Sequence, residues 1–119
     1  MKIAISCQGN TLESTVDPRF GRAQGFLVYD LDTDTFDYAS NDQNLNIAQG
    51  AGIQTAQNVA KTGAKAVITG NVGPKAFSAL TQGNIAMYLY TDGTVAEAIA
   101  AYKRGDLKPT QDANKPGHW

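Results

Sequence analysis

Short apolar runs alternate with polar, glycine-bearing stretches along the chain. "KIAIS" (2–6) is an isoleucine-rich run closed by Ser6-Cys7-Gln8-Gly9, and it predicts a buried strand. "GFLVYDLD" (25–32) predicts a second strand and "FDYAS" (36–40) a third, with Phe36 and Tyr38 on one face and Asp37 on the other. The "DTDT" between them supplies turn chemistry, so the pair reads as a hairpin. The period then becomes helical. In "IQTAQNVAKTG", Ile53, Ala56, Val59 and Ala60 fall on one face and Gly63 stops the helix. "KAVITG" (65–70) predicts a buried strand. "NVGPKAFSALTQG" (71–83) predicts a helix with Pro74 in its first turn, Ala76, Phe77 and Leu80 inward, and Gly83 at its end. "NIAMYLYT" (84–91) returns as a strand. Thr94 and Glu97 have capping-box spacing before "VAEAIAAYKRG", where Val95, Ala98, Ile99 and Tyr102 face inward and Gly105 ends the helix. The remainder, "DLKPTQDANKPGHW", is polar and proline-punctuated; it predicts one domain over 1–109 and a mobile tail over 110–119.

The predicted order is β-β-β-α-β-α-β-α. Helix-linked strands favour parallel pairing through right-handed crossovers, and the hairpin adds an antiparallel strand. The simplest result is a five-stranded mixed sheet of order 3-2-1-4-5, with strand 2 antiparallel and three helices packed on it. The build direction reverses at strand 1, and ligands favour the crevice at the carboxyl ends of strands at such a point. Three connections should meet there: 7–24, 41–52 and 70–73, leaving strands 1, 3 and 4.

Composition narrows the chemistry. The 119 residues are 42% hydrophobic and 18% charged, which suits one packed domain. Ten basic residues against eleven acidic ones give a net charge of −1, so no global field draws nucleic acid or an anionic membrane. Cys7 and His118 are the only residues of their types, too few for a disulfide framework or a closed zinc site. The N-terminal apolar run is shorter than a signal-peptide core or a membrane span, so the chain reads as a cytoplasmic protein.

Candidate chemistry is concentrated in the connections. In "DPRFGR" (17–22), Arg19 and Arg22 flank Phe20-Gly21, and two guanidiniums offer donor forks for an anion. Phe20 either covers a ligand or anchors the loop in the core, and Asp17 is placed to pair with an arginine. Gly70-Asn71-Val72-Gly73 precedes Pro74, and Gly50-Ala51-Gly52 opens the first helix. Each is ordinary strand-to-helix chemistry by itself; together beside the arginines they suit an anion at helix N-termini. Cys7 shares parity with Ile3 and Ile5, which fits a buried, inert thiol, and it also sits at the crevice end of its strand. His118 is available only from the tail.

These stretches carry a resemblance. "DPRFGRAQGFLVYD", "GAGIQTAQNVAKTGAKAVITGNVGPKAFSAL" and "GTVAEAIAAYKRGDLKP" resemble the dinitrogenase iron–molybdenum cofactor biosynthesis family over residues 1 to about 109. The resemblance implies a ribonuclease-H-like α/β fold. It also implies a non-enzymatic carrier for an anionic metal–sulfide cluster, of the molybdenum–copper type found in small stand-alone members or, alternatively, of an iron–molybdenum type. Such cargo, or a thiomolybdate-type anion, brings its own sulfide ligands. The protein then supplies arginines, backbone N–H groups and apolar cover, with Cys7 or His118 as candidate direct ligands. A carrier also implies protein donors or acceptors in cluster delivery. A small-anion or nucleotide-binding sensor or adaptor would use the same crevice. A nuclease of this fold needs clustered carboxylates around metal ions, and "KIAISC" supplies none on the first strand.

Overall fold

The chain forms β1 (Lys2–Cys7), β2 (Gly25–Asp30), β3 (Thr35–Ser40), α1 (Ala51–Lys61), β4 (Ala64–Thr69), α2 (Pro74–Gln82), β5 (Ala86–Leu89) and α3 (Val95–Arg104). The structure, a computed structural model, describes residues 1–41 and 50–110. The strands pair in the order β3-β2-β1-β4-β5. β2 is antiparallel to both β1 and β3, while β1, β4 and β5 run parallel. This is the sheet expected from the alternation of apolar runs.

The central strands have no polar face because both faces are covered. On one face Ala4, Phe26, Val67 and Met87 meet Ala56 and Val59 of α1 and Ala76 and Leu80 of α2. On the other, Ile3, Ile5, Leu27, Ala66 and Ile68 meet Val95, Ala98 and Ile99 of α3. Fully burying a side chain of this size contributes about 1.5–3 kcal/mol, so β1 and β4 are the most heavily invested elements.

Two local expectations need correction. α1 starts at Ala51 and buries Ala51, Gly52, Thr55, Ala56 and Val59. Ile53 and Ala60, expected inward, are exposed. The inward face is chosen by Thr55, whose hydroxyl donates to the Gly21 carbonyl at 3.3 Å and accepts from Asn41 Nδ2 at 3.1 Å. The hairpin turn is 31–34, with Asp34 at φ +58° and its N–H donating to the Asp30 carbonyl at 2.9 Å.

α3 carries the expected capping box, and Gly105 closes it in a left-handed conformation at φ +78°. Beyond α3, Pro109 bridges Tyr88 and the Thr110 N–H donates to the Met87 carbonyl at 2.7 Å. The rest of the expected tail, with His118, and positions 42–49 of the 41–52 connection lie outside the described residues. No helix among the described residues is long and apolar enough to cross a membrane.

Candidate functional site

The 7–24 connection is bound along most of its length. The Gln8 N–H donates to the Thr15 carbonyl, and the Asp17 N–H to the Ser6 carbonyl, so the chain doubles back beside the end of β1. It then crosses the end of β4. The Phe20 N–H donates to the Asn71 carbonyl at 3.2 Å, and Asn71 Nδ2 donates to the Pro18 carbonyl at 3.0 Å. Finally it reaches α1: Asn41 Nδ2 donates to the Ala23 carbonyl at 3.0 Å, and Asn41 Oδ1 accepts from Asn58 at 2.9 Å. Arg19 pairs with Asn71 in a parallel bridge, so the arginine loop and the 70–73 turn share one end of the sheet.

The crossing requires Gly70. A Cβ there would stand 2.7 Å from Pro18 Cα and 2.8 Å from the Pro18 carbonyl oxygen. Both are backbone atoms and cannot swing away. Gly70→Ala is therefore expected to cost about 1–3 kcal/mol, as other overpacked sites do, and to push Arg19 away from its present position. A urea melt measures the cost; a wild-type midpoint would mean the loop yields freely.

The sequence candidates separate into two groups. Phe20 is fully buried, with its ring edge-on to Phe26 at 5.5 Å between centroids. Of the two roles open to it, anchoring is the one observed, and its ring is not available to a ligand. Gly21, Gly52, Val72 and Gly73 are buried; Arg22 and Asn71 are half-buried; Arg19 and Gly50 are exposed. Arg19 donates from its backbone N–H to Asp17 Oδ1 at 2.9 Å and from Nε to the same oxygen at 3.3 Å.

The three helix starts differ. α1 follows Gly50 and α2 follows Gly73, each with no side-chain cap and no acidic residue in the first turn. α3 is closed. Thr94 and Glu97 cap each other, the Val95 N–H donates to the Ser14 carbonyl, and the Ala96 N–H to the Leu12 carbonyl. Among the described residues the N-termini of α1 and α2 thus carry the positive end of their dipoles with no side-chain cap and no first-turn carboxylate.

Cys7 lies in the α3-side core, fully buried, with Sγ donating to the Gly9 carbonyl at 3.0 Å. Burial pushes the thiol above its ordinary pKa. Thiolate is the reactive and metal-binding form, so the native thiol should resist alkylation at pH 8 and react on unfolding. Among the described residues no three His, Cys, Asp or Glu side chains gather to hold a metal ion.

The family described as "Dinitrogenase iron-molybdenum cofactor" matches residues 1–105. This chain belongs to that family. It is 40% identical to the apo form of the orange protein of Desulfovibrio gigas, with a TM-score of 0.94 and 96% of each chain covered. A NifB-like protein of Thermotoga is 32% identical, with a TM-score of 0.82 over 96% of this chain and 98% of that one. An uncharacterised protein of Methanocaldococcus jannaschii is 30% identical over 110 residues, 91% of this chain and 90% of its own length.

In this family member several site-building residues escaped sequence reasoning. Ser6 and Thr69 are fully buried and hydrogen-bonded to each other at 2.8 Å at the carboxyl ends of β1 and β4. Asn41 is a fully buried hub between β3 and α1. Lys75 sits in the first turn of α2, where a cation opposes the helix dipole by about 0.3–1 kcal/mol. With Ile53 and Ala79 it lines a groove of about 280 Å³ between α1 and α2. For this groove the lysine one position after Pro74 was the available signal, since the exposure of Ile53 emerges only in the fold.

Proposed function

We propose that this protein is a non-enzymatic carrier of an anionic, molybdenum-containing metal–sulfide cluster, held without a protein ligand set at the carboxyl ends of β1, β3 and β4. The observation that carries this reading is the contrast among the helix starts. α1 and α2 open with no side-chain cap and no first-turn acid, α2 just after Asn71, which bridges Arg19, and α1 with Thr55 bonded to Gly21, whereas α3 is capped and joined to the loop. Membership in the cofactor family and the likeness to the orange protein support the same reading.

The chemistry suits cargo that arrives with its sulfides in place. Guanidinium and backbone N–H groups donate to sulfide and neutralise charge without displacing a ligand. Arg19, Arg22 and the N-termini at Gly50–Ala51–Gly52 and Gly73 supply the donors, and Gly70, Asn71 and Val72 shape the turn. The cargo we favour is the molybdenum–copper sulfide cluster implied by the sequence resemblance, with an iron–molybdenum cluster as the alternative. In a carrier of this kind Cys7 is a core residue. Cys7→Ser should leave tetrathiomolybdate affinity within about twofold of wild type, and complete loss with the fold intact would make Cys7 a ligand.

The test is anaerobic purification from a native host, followed by absorption spectroscopy and metal analysis. Sulfide-to-metal charge-transfer bands with molybdenum and copper are expected. Molybdenum with iron would shift the cargo to the alternative. Tight binding of a nucleotide or phosphate, with no affinity for tetrathiomolybdate, would replace the carrier by a small-anion sensor.

A further inference from the structure

Asp17 is the one buried charged side chain among the described residues, at 0% exposure in a loop whose Arg19 side chain is 48% exposed. Its backbone is fixed from three directions. Its N–H donates to the Ser6 carbonyl at 2.8 Å, and its carbonyl accepts from Ser6 Oγ at 2.6 Å and Thr69 Oγ1 at 3.4 Å. Its carboxylate is less well served. Oδ1 takes both bonds from Arg19, and Oδ2 has no hydrogen-bond partner among the described residues. A buried carboxylate kept only for stability would be expected to satisfy both oxygens.

We infer that Asp17 is a positioning residue that fixes the Arg19 guanidinium in advance for the anionic cargo. The inference rests on the carrier reading above. Asp17 takes Nε, so the two terminal nitrogens, with four N–H donors, keep no protein partner among the described residues. Pro18 restricts the link between anchor and arm to a narrow φ. The guanidinium is therefore held at one end by the rigid ends of β1 and β4 while its fork stays open. An arginine held this way loses less freedom when a ligand docks.

Two effects of Asp17 on an anion have opposite signs, and this makes the inference testable. Acting by charge alone, Asp17 repels the anion, and its removal tightens binding. Acting through Arg19, its removal weakens binding. Freeing one flexible side chain corresponds to a loss of about 2- to 12-fold in affinity.

The experiment is a titration with tetrathiomolybdate of the full chain and four variants: Asp17→Ala, Asp17→Asn, Arg19→Ala and the Asp17→Ala/Arg19→Ala pair. Asp17→Ala should weaken binding within that range. Asp17→Asn keeps an oxygen acceptor for both Arg19 bonds and should recover most of the loss, and it guards against an alanine variant that fails to fold. The double variant should bind like Arg19→Ala alone, because a residue acting through Arg19 has nothing left to position. Equal weakening by Asp17→Ala in both backgrounds, or tighter binding in Asp17→Ala, would overturn the inference.

A second arm needs no ligand. The chain has three arginines, Arg19, Arg22 and Arg104, so their Nε–H signals can be assigned by NMR. The Arg19 signal should be protected from exchange in the wild type and in Asp17→Asn. It should be averaged with solvent in Asp17→Ala, or in the wild type if the inference is wrong. Should the wild type ignore tetrathiomolybdate, the carrier reading fails, and this arm still decides whether Asp17 positions Arg19.

Discussion

Phe20→Ala is expected to destabilise the protein by about 3–5 kcal/mol, the usual cost of deleting a buried aromatic ring. Phe20 is fully buried in one cluster with Ala23, Phe26, Val72 and Leu80, and it is the largest fully buried side chain of the 7–24 connection. The cavity would open where the loop, β2 and the start of α2 meet, between backbones tied by hydrogen bonds that limit collapse. Urea denaturation of wild type, Phe20→Ala and Phe20→Leu measures the effect, with the leucine variant expected to retain part of the loss. A cost under about 1 kcal/mol for Phe20→Ala would show that the site collapses freely and that the ring is not the anchor described.

The second large effect concerns binding. Arg19→Ala combined with Arg22→Ala should weaken tetrathiomolybdate binding at least tenfold, since a hydrogen bond to a charged group is worth about 1.5–3 kcal/mol. Raising the salt should weaken the wild type more than the double variant, because charge attraction is screened only where it exists. Stability will also change. Without its guanidinium Asp17 is left as a poorly paired buried carboxylate, which costs about 1–3 kcal/mol. Adding Asp17→Asn to the double variant should restore much of that stability without restoring binding. Wild-type affinity in the double variant would shift the donor role to the helix N-termini alone.

The sheet was legible because its signals are local. Each buried strand is centred on a run of apolar or small residues, and glycine or proline marks most changes of element, the β2–β3 turn being made by Asp32-Thr33-Asp34 instead. Strand order follows from the hairpin and two crossovers. The inward face of α1 was misread for a reason of chemistry. Hydrophobicity favours Ile53, but the helix is oriented by a threonine hydroxyl that bonds Gly21 and Asn41, partners far away in sequence. At the site the arginines and glycines were visible by type. Asp17, Ser6, Thr69 and Asn41 were not, because a polar residue reads as surface until its buried partners are known. The contrast among helix starts was half legible. Thr94 and Glu97 announce the cap of α3, but the carbonyls of Leu12 and Ser14 that complete it belong to a segment about eighty residues earlier.

The longest connection in the fold also has a kinetic consequence. The amides of Val16, Asp17 and Phe20 each donate to a backbone carbonyl on another segment, and their residues are buried. Their hydrogen exchange should therefore track global unfolding, as in a central strand, and not the fast local opening usual for loops. Such a segment does not serve as a hinged cover. A carrier built around it would unload by ligand exchange from the open side of the site, at a rate set by the competing acceptor and not by an opening motion of the protein.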